Sequence, residues 1–139
     1  MQVLYAWEIS REPIEMLVES IAGQDLGHEP EHFAFVQALV YTTANHRAEA
    51  DELIRVHAQN WALERIATLD LVILRIGISE LLYFAEIPTK VTLNEWVDIA
   101  KRFSTEKSGG FVNGMLDNIL RDLTTQNRIR KSGRGLVDR

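Results

Sequence analysis

Near the middle of the chain, the stretch TLDLVILRIGISELLYFA from Thr68 to Ala85 is apolar on nearly every face of the helix it would form. A helix of that kind has to be buried on all sides. It is not a membrane span, because Asp70, Arg75 and Glu80 interrupt it and leave apolar runs of only a few residues. The remaining solution is the core helix of a soluble bundle. Its leucines, isoleucines and aromatics cannot all be covered by one neighbour, so several amphipathic helices are expected around it.

The rest of the chain supplies them. Val3, Leu4 and Trp7 mark a first helix within Met1 to Ser10, which has no capping residue ahead of it. After Pro13, Ile14, Leu17, Val18 and Ile21 define a second helix up to Gly23. Phe33, Val36, Leu39, Val40 and Thr43 define a third, ending near Asn45, and Ala50, Leu53, Ile54 and His57 a fourth. The central helix should stop before Pro88. Thr89 or Thr92 can cap the next one, whose buried side is expected to be Val91, Leu93, Trp96, Val97, Ala100 and Phe103. The last helix has the cleanest period, Val112, Met115, Leu116, Ile119 and Leu123, and Ser108 is a candidate cap for it. No strand-like alternation and no fixed-period repeat occurs. With 139 residues, such a core needs no disulfide or metal to hold it.

Charge narrows the partners. The net charge of −5 divides unevenly: from Asn127 onward five basic residues stand against Asp138 alone, which leaves −9 on the remainder. A body so acidic attracts no polyanion in general, and any nucleic-acid contact has to be a local patch. Past Thr124 the helical pattern dissolves into this basic segment, read as a flexible tail. With no Cys, thiol nucleophiles and Cys-ligated zinc are excluded and a reducing compartment is expected. The start MQVLYAWEIS has no secretory pattern, so the expected location is cytoplasmic.

Few residue groups offer chemistry. His28 and His32 in HEPEH are four apart, but Pro30 lies between them and no third ligand is evident, so no metal site is expected. KSGG at Lys107 to Gly110 lacks the spacing of a phosphate-binding loop. Arg75 and Glu80 need partners inside the bundle, for which Asn94, Glu95 and Asp98 on the following helix are the candidates. Nothing forms a catalytic constellation, and neither an enzyme nor a cofactor is expected. The stretch from Lys101 to Asn113 is richer: it joins the cations Lys101, Arg102 and Lys107 to Phe103, Phe111, Ser104, Thr105, Ser108 and Asn113. Single-stranded RNA takes this mixture, with cations on phosphates, rings under bases and polar groups on base edges. Phe103, seven residues after Trp96, is expected to be core instead.

Four segments carry a family likeness: LYAWE at Leu4 to Glu8, LDLVILRIGISELLY at Leu69 to Tyr83, IPTKVTLNEWVDIAKRF at Ile87 to Phe103 and FVNGMLDNIL at Phe111 to Leu120. In this order and spacing they resemble the NusB family of bacterial transcription antitermination factors. The resemblance implies an all-α bundle of about seven helices, with a domain over 1–126 in subdomains of about 1–60 and 61–126, followed by the tail 127–139. It also implies pairing with NusE, a ribosomal small-subunit protein, binding of single-stranded boxA RNA, and entry into an RNA polymerase antitermination complex on ribosomal RNA operons. Carried over by position, Tyr5 and Asp70 face NusE, while Lys107, Phe111 and Asn113 face RNA, with Lys101 and Arg102 beside them. Arg75, Glu80, Asn94 and Glu95 belong to the family pattern as architecture.

Two departures qualify the likeness. The family usually carries an Arg-rich arm before the LYxW helix, whereas this sequence opens at Met1 inside that helix; a start further upstream or a reduced hold on RNA follows. Ser104 stands where Gly is usual. The alternative reading is a NusB-like interaction or homodimerisation module with weakened RNA binding.

Overall fold

The computed structural model describes residues 1–23, 29–58 and 63–136. Its described residues form helices and no strand. The first is α1 (Gln2–Ser10), after which Arg11 turns the chain with φ 63°. A short α2 (Ile14–Leu17) continues directly into a π-type turn over Val18–Ala22. Then come α3 (Pro30–Asn45), with Pro30 in its first turn where no N–H is missed, and α4 (Arg47–His57). A 3₁₀ turn over Leu63–Arg65 precedes α5 (Thr68–Tyr83), and α6 (Thr89–Phe103) and α7 (Glu106–Thr125) form a hairpin beyond it.

The all-round apolar helix is the axis of the molecule. Every residue of α5 from Asp70 to Leu81 is buried, and α1, α3, α4, α6 and α7 all pack against it. Gly77 lies close against α7: a Cβ there would stand 3.1 Å from both Cδ atoms of Leu116. Leu116, Ile119 and Leu123 are fully buried along that contact, as their period requires.

Several sequence expectations are corrected. The apolar stretch leaves the helix after Tyr83, which is 43% exposed. Neither Thr89 nor Thr92 caps α6. Pro88 occupies the cap, and Thr92 is buried, donating its hydroxyl to Glu80 Oε1 at 2.9 Å. The buried residues of α6 are Thr92, Trp96 and Ala100, while Val91 and Phe103 are exposed. Val91 lies about 100° round the helix from Thr92 and so off the face that Thr92, Trp96 and Ala100 share, and Phe103 lies in the last turn. Phe103, expected in the core, is 55% exposed, with the Arg102 guanidinium 5.7 Å from its ring centre.

Arg75 also finds other partners than those expected. Its Nε and Nη2 donate to the two oxygens of Asp51 on α4 at 2.7 and 3.1 Å, and Nη1 to Glu8 Oε1 on α1 at 3.1 Å. Arg47 joins Glu8 at 3.2 Å, so two cations and two carboxylates tie α1, α4 and α5 together. Asn94, Glu95 and Asp98 are exposed and take no part. Burial pushes the Glu80 carboxyl upward, and the Thr92 hydroxyl draws it back.

The basic segment, expected to be loose, is docked. Residues 127–136 return along the end of α5 and finish in a 3₁₀ turn over Gly133–Leu136, with Gly135 buried. Among the described residues no helix is long and apolar enough to cross a membrane. His28 lies outside the described residues, and His32 is exposed beside Glu29 at 3.4 Å.

Candidate interface for nucleic acid and a protein partner

Two helix N-termini meet at one end of the bundle. The 3₁₀ turn and the first turn of α5 bring Arg65, Ile66, Ala67 and Asp70 to one wall of a cleft of about 400 Å³, and the start of α7 brings Thr105, Lys107, Ser108 and Phe111 to the other. The α7 start is built by Thr105, not by Ser108: extended at φ −139°, Thr105 accepts the Ser108 N–H on its Oγ1 at 3.0 Å. This turns the Ser108 side chain inward, where Oγ donates to Asp70 Oδ2 at 3.0 Å. Ser104 places its Oγ 2.8 Å from Ser108 Oγ and extends the chain of hydroxyls.

Asp70 is 6% exposed, and its second oxygen, Oδ1, has no partner among the described residues. Burial raises the Asp70 carboxyl above its usual range, opposed by the Ser108 hydrogen bond. The cleft therefore has a carboxylate short of a donor at its floor and the exposed cations Arg65 and Lys107 on its rims. The leading N–H groups of α7 add partial positive charge at the same mouth.

A raised folded pKa means that ionised Asp70 works against the fold: its contribution is favourable in acid and is lost as pH rises through the folded value. Asp70→Asn keeps an acceptor for Ser108 and removes that cost. Urea unfolding is expected to show the variant more stable than the parent at pH 7, with the difference shrinking toward about pH 4. An equal gain at both values would remove the ionisation argument.

The structure brings together Asp70, Lys107 and Phe111, which were assigned to different partners in the sequence. Lys101 and Arg102 lie exposed at the end of α6, and the Lys101 stem crosses Gly109 so closely that a Cβ there would sit 2.4 Å from its Cγ. Asn113 is exposed one turn further along α7. Tyr5 is 41% exposed on α1 and is not among the cleft residues. Sequence reasoning missed Arg65, whose signal was a cation just ahead of the core helix, and it missed Thr105 as the cap.

The described residues thus form an all-α bundle that opens at one end into a cleft lined by charged groups and the Phe111 ring. The chain belongs to the NusB family, whose model matches residues 1–121. Transcription antitermination protein NusB of Salinibacter ruber is 43% identical over 137 residues, which are 99% of this chain and 86% of that protein. The protein of the same name from Chloroherpeton thalassium is 39% identical over 99% of this chain and 65% of its own length. In a crystal structure of the antitermination factors NusB and NusE in complex with dsRNA, one chain is 27% identical with a TM-score of 0.80, over 86% of this chain and 89% of that one.

Proposed function

We propose that this chain is a transcription antitermination factor that holds single-stranded boxA-type RNA jointly with a NusE-type ribosomal protein and enters an RNA polymerase complex on ribosomal RNA operons. It makes and breaks no bond. The observation that carries the reading is the cleft itself, since it offers a phosphate, a base and a hydrogen-bond donor each a fitting surface. In this reading Lys107, Lys101 and Arg102 meet phosphates, Phe111 stacks on a base and Asn113 reaches a base edge. Tyr5 and Asp70 face the protein partner, and Asp70 Oδ1 accepts the donor it lacks in the free chain. Membership of the NusB family and the likeness to a chain solved with NusE and RNA support it.

The test is substitution at the cleft with calorimetric RNA binding in the presence of the partner. Phe111→Ala is expected to weaken binding roughly 5- to 150-fold, the worth of one stacked base. Lys107→Ala is expected to flatten the dependence of log K on log salt by about 0.7, the share of one phosphate contact on a single strand. Unchanged affinity and slope in both variants would remove the cleft from the RNA path. The second reading, an interaction or homodimerisation module, has the exposed Tyr5 and Ile9 one turn apart on α1 in its favour. Self-association without RNA binding would select it.

A further inference from the structure

The basic segment after α7 is built to dock. Asn127 takes the left-handed conformation, φ 59°, and closes the helix by donating its N–H to Thr124 at 3.0 Å, while the Arg128 N–H reaches Leu123 O at 2.8 Å. This left-handed closure reverses the chain. Arg128 then donates to Glu49 on α4 at 3.0 Å, and Lys131 Nζ to the carbonyls of Glu80 and Phe84 at the end of α5, at 2.9 and 2.8 Å. The Ser132 N–H meets Ala85 O at 3.0 Å. Gly135 rests on that same carbonyl so tightly that a Cβ would fall 1.8 Å from it, and no other residue fits there.

The hold is almost wholly polar. Ile129 is the strap residue packed against the core, and Leu136 at its end is 70% exposed. An ion pair as open as Arg128–Glu49, with both side chains about a third exposed, contributes little and is screened by salt. Four cations lie in this segment. Arg128 is matched by Glu49 and Lys131 is spent on the α5 carbonyls, while Arg130 and Arg134 point outward.

We propose that residues 127–136 are an autoinhibitory strap: seated, it withholds Arg128 and Lys131 from polyanions, and on release it offers all four cations. A polyanion that engages more cations on the released strap shifts the equilibrium toward release. The strap seats at the opposite end of α5 from the cleft, roughly 20 Å away at the helical rise, so its cations form a separate electrostatic contact. The inference rests on the RNA-binding reading only for the identity of the polyanion.

Gly135→Ala tests it, because it unseats the strap without altering a charge or touching the helices. Hydrogen exchange at the Ser132 and Gly135 amides should accelerate. Binding of an oligouridine, measured over a salt series, should strengthen, with log K against log salt steeper by about 1.4, two phosphate contacts on a single strand. Adding Arg128→Ala and Lys131→Ala should return the slope to that of the parent chain. Strap amides that stay protected in Gly135→Ala overturn the seating. Faster exchange with an unchanged slope, or no binding by either chain, overturns the inhibition. Oligouridine carries no boxA sequence and no partner is present, so failure of boxA recognition leaves this result standing on its own.

Discussion

Replacing Arg75 by alanine is expected to lower the unfolding free energy by about 3 to 5 kcal/mol, and the melting temperature by roughly 10 to 20 °C. Arg75 is buried on α5, and its guanidinium is shared between Asp51 and Glu8, both nearly buried. Removing it leaves two carboxylates facing each other with Arg47 as their remaining cation, and Glu8 Oε2 already lacks a partner among the described residues. The penalty belongs to the orphaned charges more than to the lost attraction. Neutralising them should therefore return much of the loss: Arg75→Met with Asp51→Asn and Glu8→Gln is expected to be more stable than Arg75→Ala alone. Urea denaturation of the set measures this, and a single-variant loss below about 1 kcal/mol would show that water enters and solvates the carboxylates.

Leu116→Ala is expected to cost about 2 to 5 kcal/mol. Leu116 is fully buried, with both methyl groups over Gly77, so the two helices touch where one residue has no side chain and the other has a branched one. The cavity left by truncation cannot collapse, because α5 is held by four helices besides α7. Since α7 carries Lys107 and Phe111, slack at this contact reaches the cleft. A midpoint shift without a change in m would confirm simple cavity destabilisation. A loss near zero would mean that α7 moves inward to fill the space.

The helices were legible because burial acts on residues three and four apart, and α5 in particular because an all-round apolar helix has one solution. What the periodicity could not show was which end turns stay uncovered, and this is why Phe103 shares a phase with Trp96 but lies outside. The partners of Arg75 were hidden for another reason: Asp51 and Glu8 are 24 and 67 residues away, and only tertiary packing brings them together. The docked strap left almost no signal, since it is anchored by backbone carbonyls and by the absence of a side chain at Gly135. At the cleft, Lys107 and Phe111 were legible in the mixture of cations and rings between Lys101 and Asn113, and Asp70 through family likeness. Their convergence on one space, with Arg65, needed the geometry of two helix starts.

The most direct test of the central claim is fluorescence anisotropy of a labelled boxA-type single strand, titrated with this chain alone, with the NusE-type ribosomal protein alone, and with both, beside a duplex of the same sequence. Tight binding to the single strand only when both proteins are present, reduced by Asp70→Asn and by Phe111→Ala, is the predicted result. Equal anisotropy in all three titrations, with no association between the two proteins, would contradict the antitermination reading.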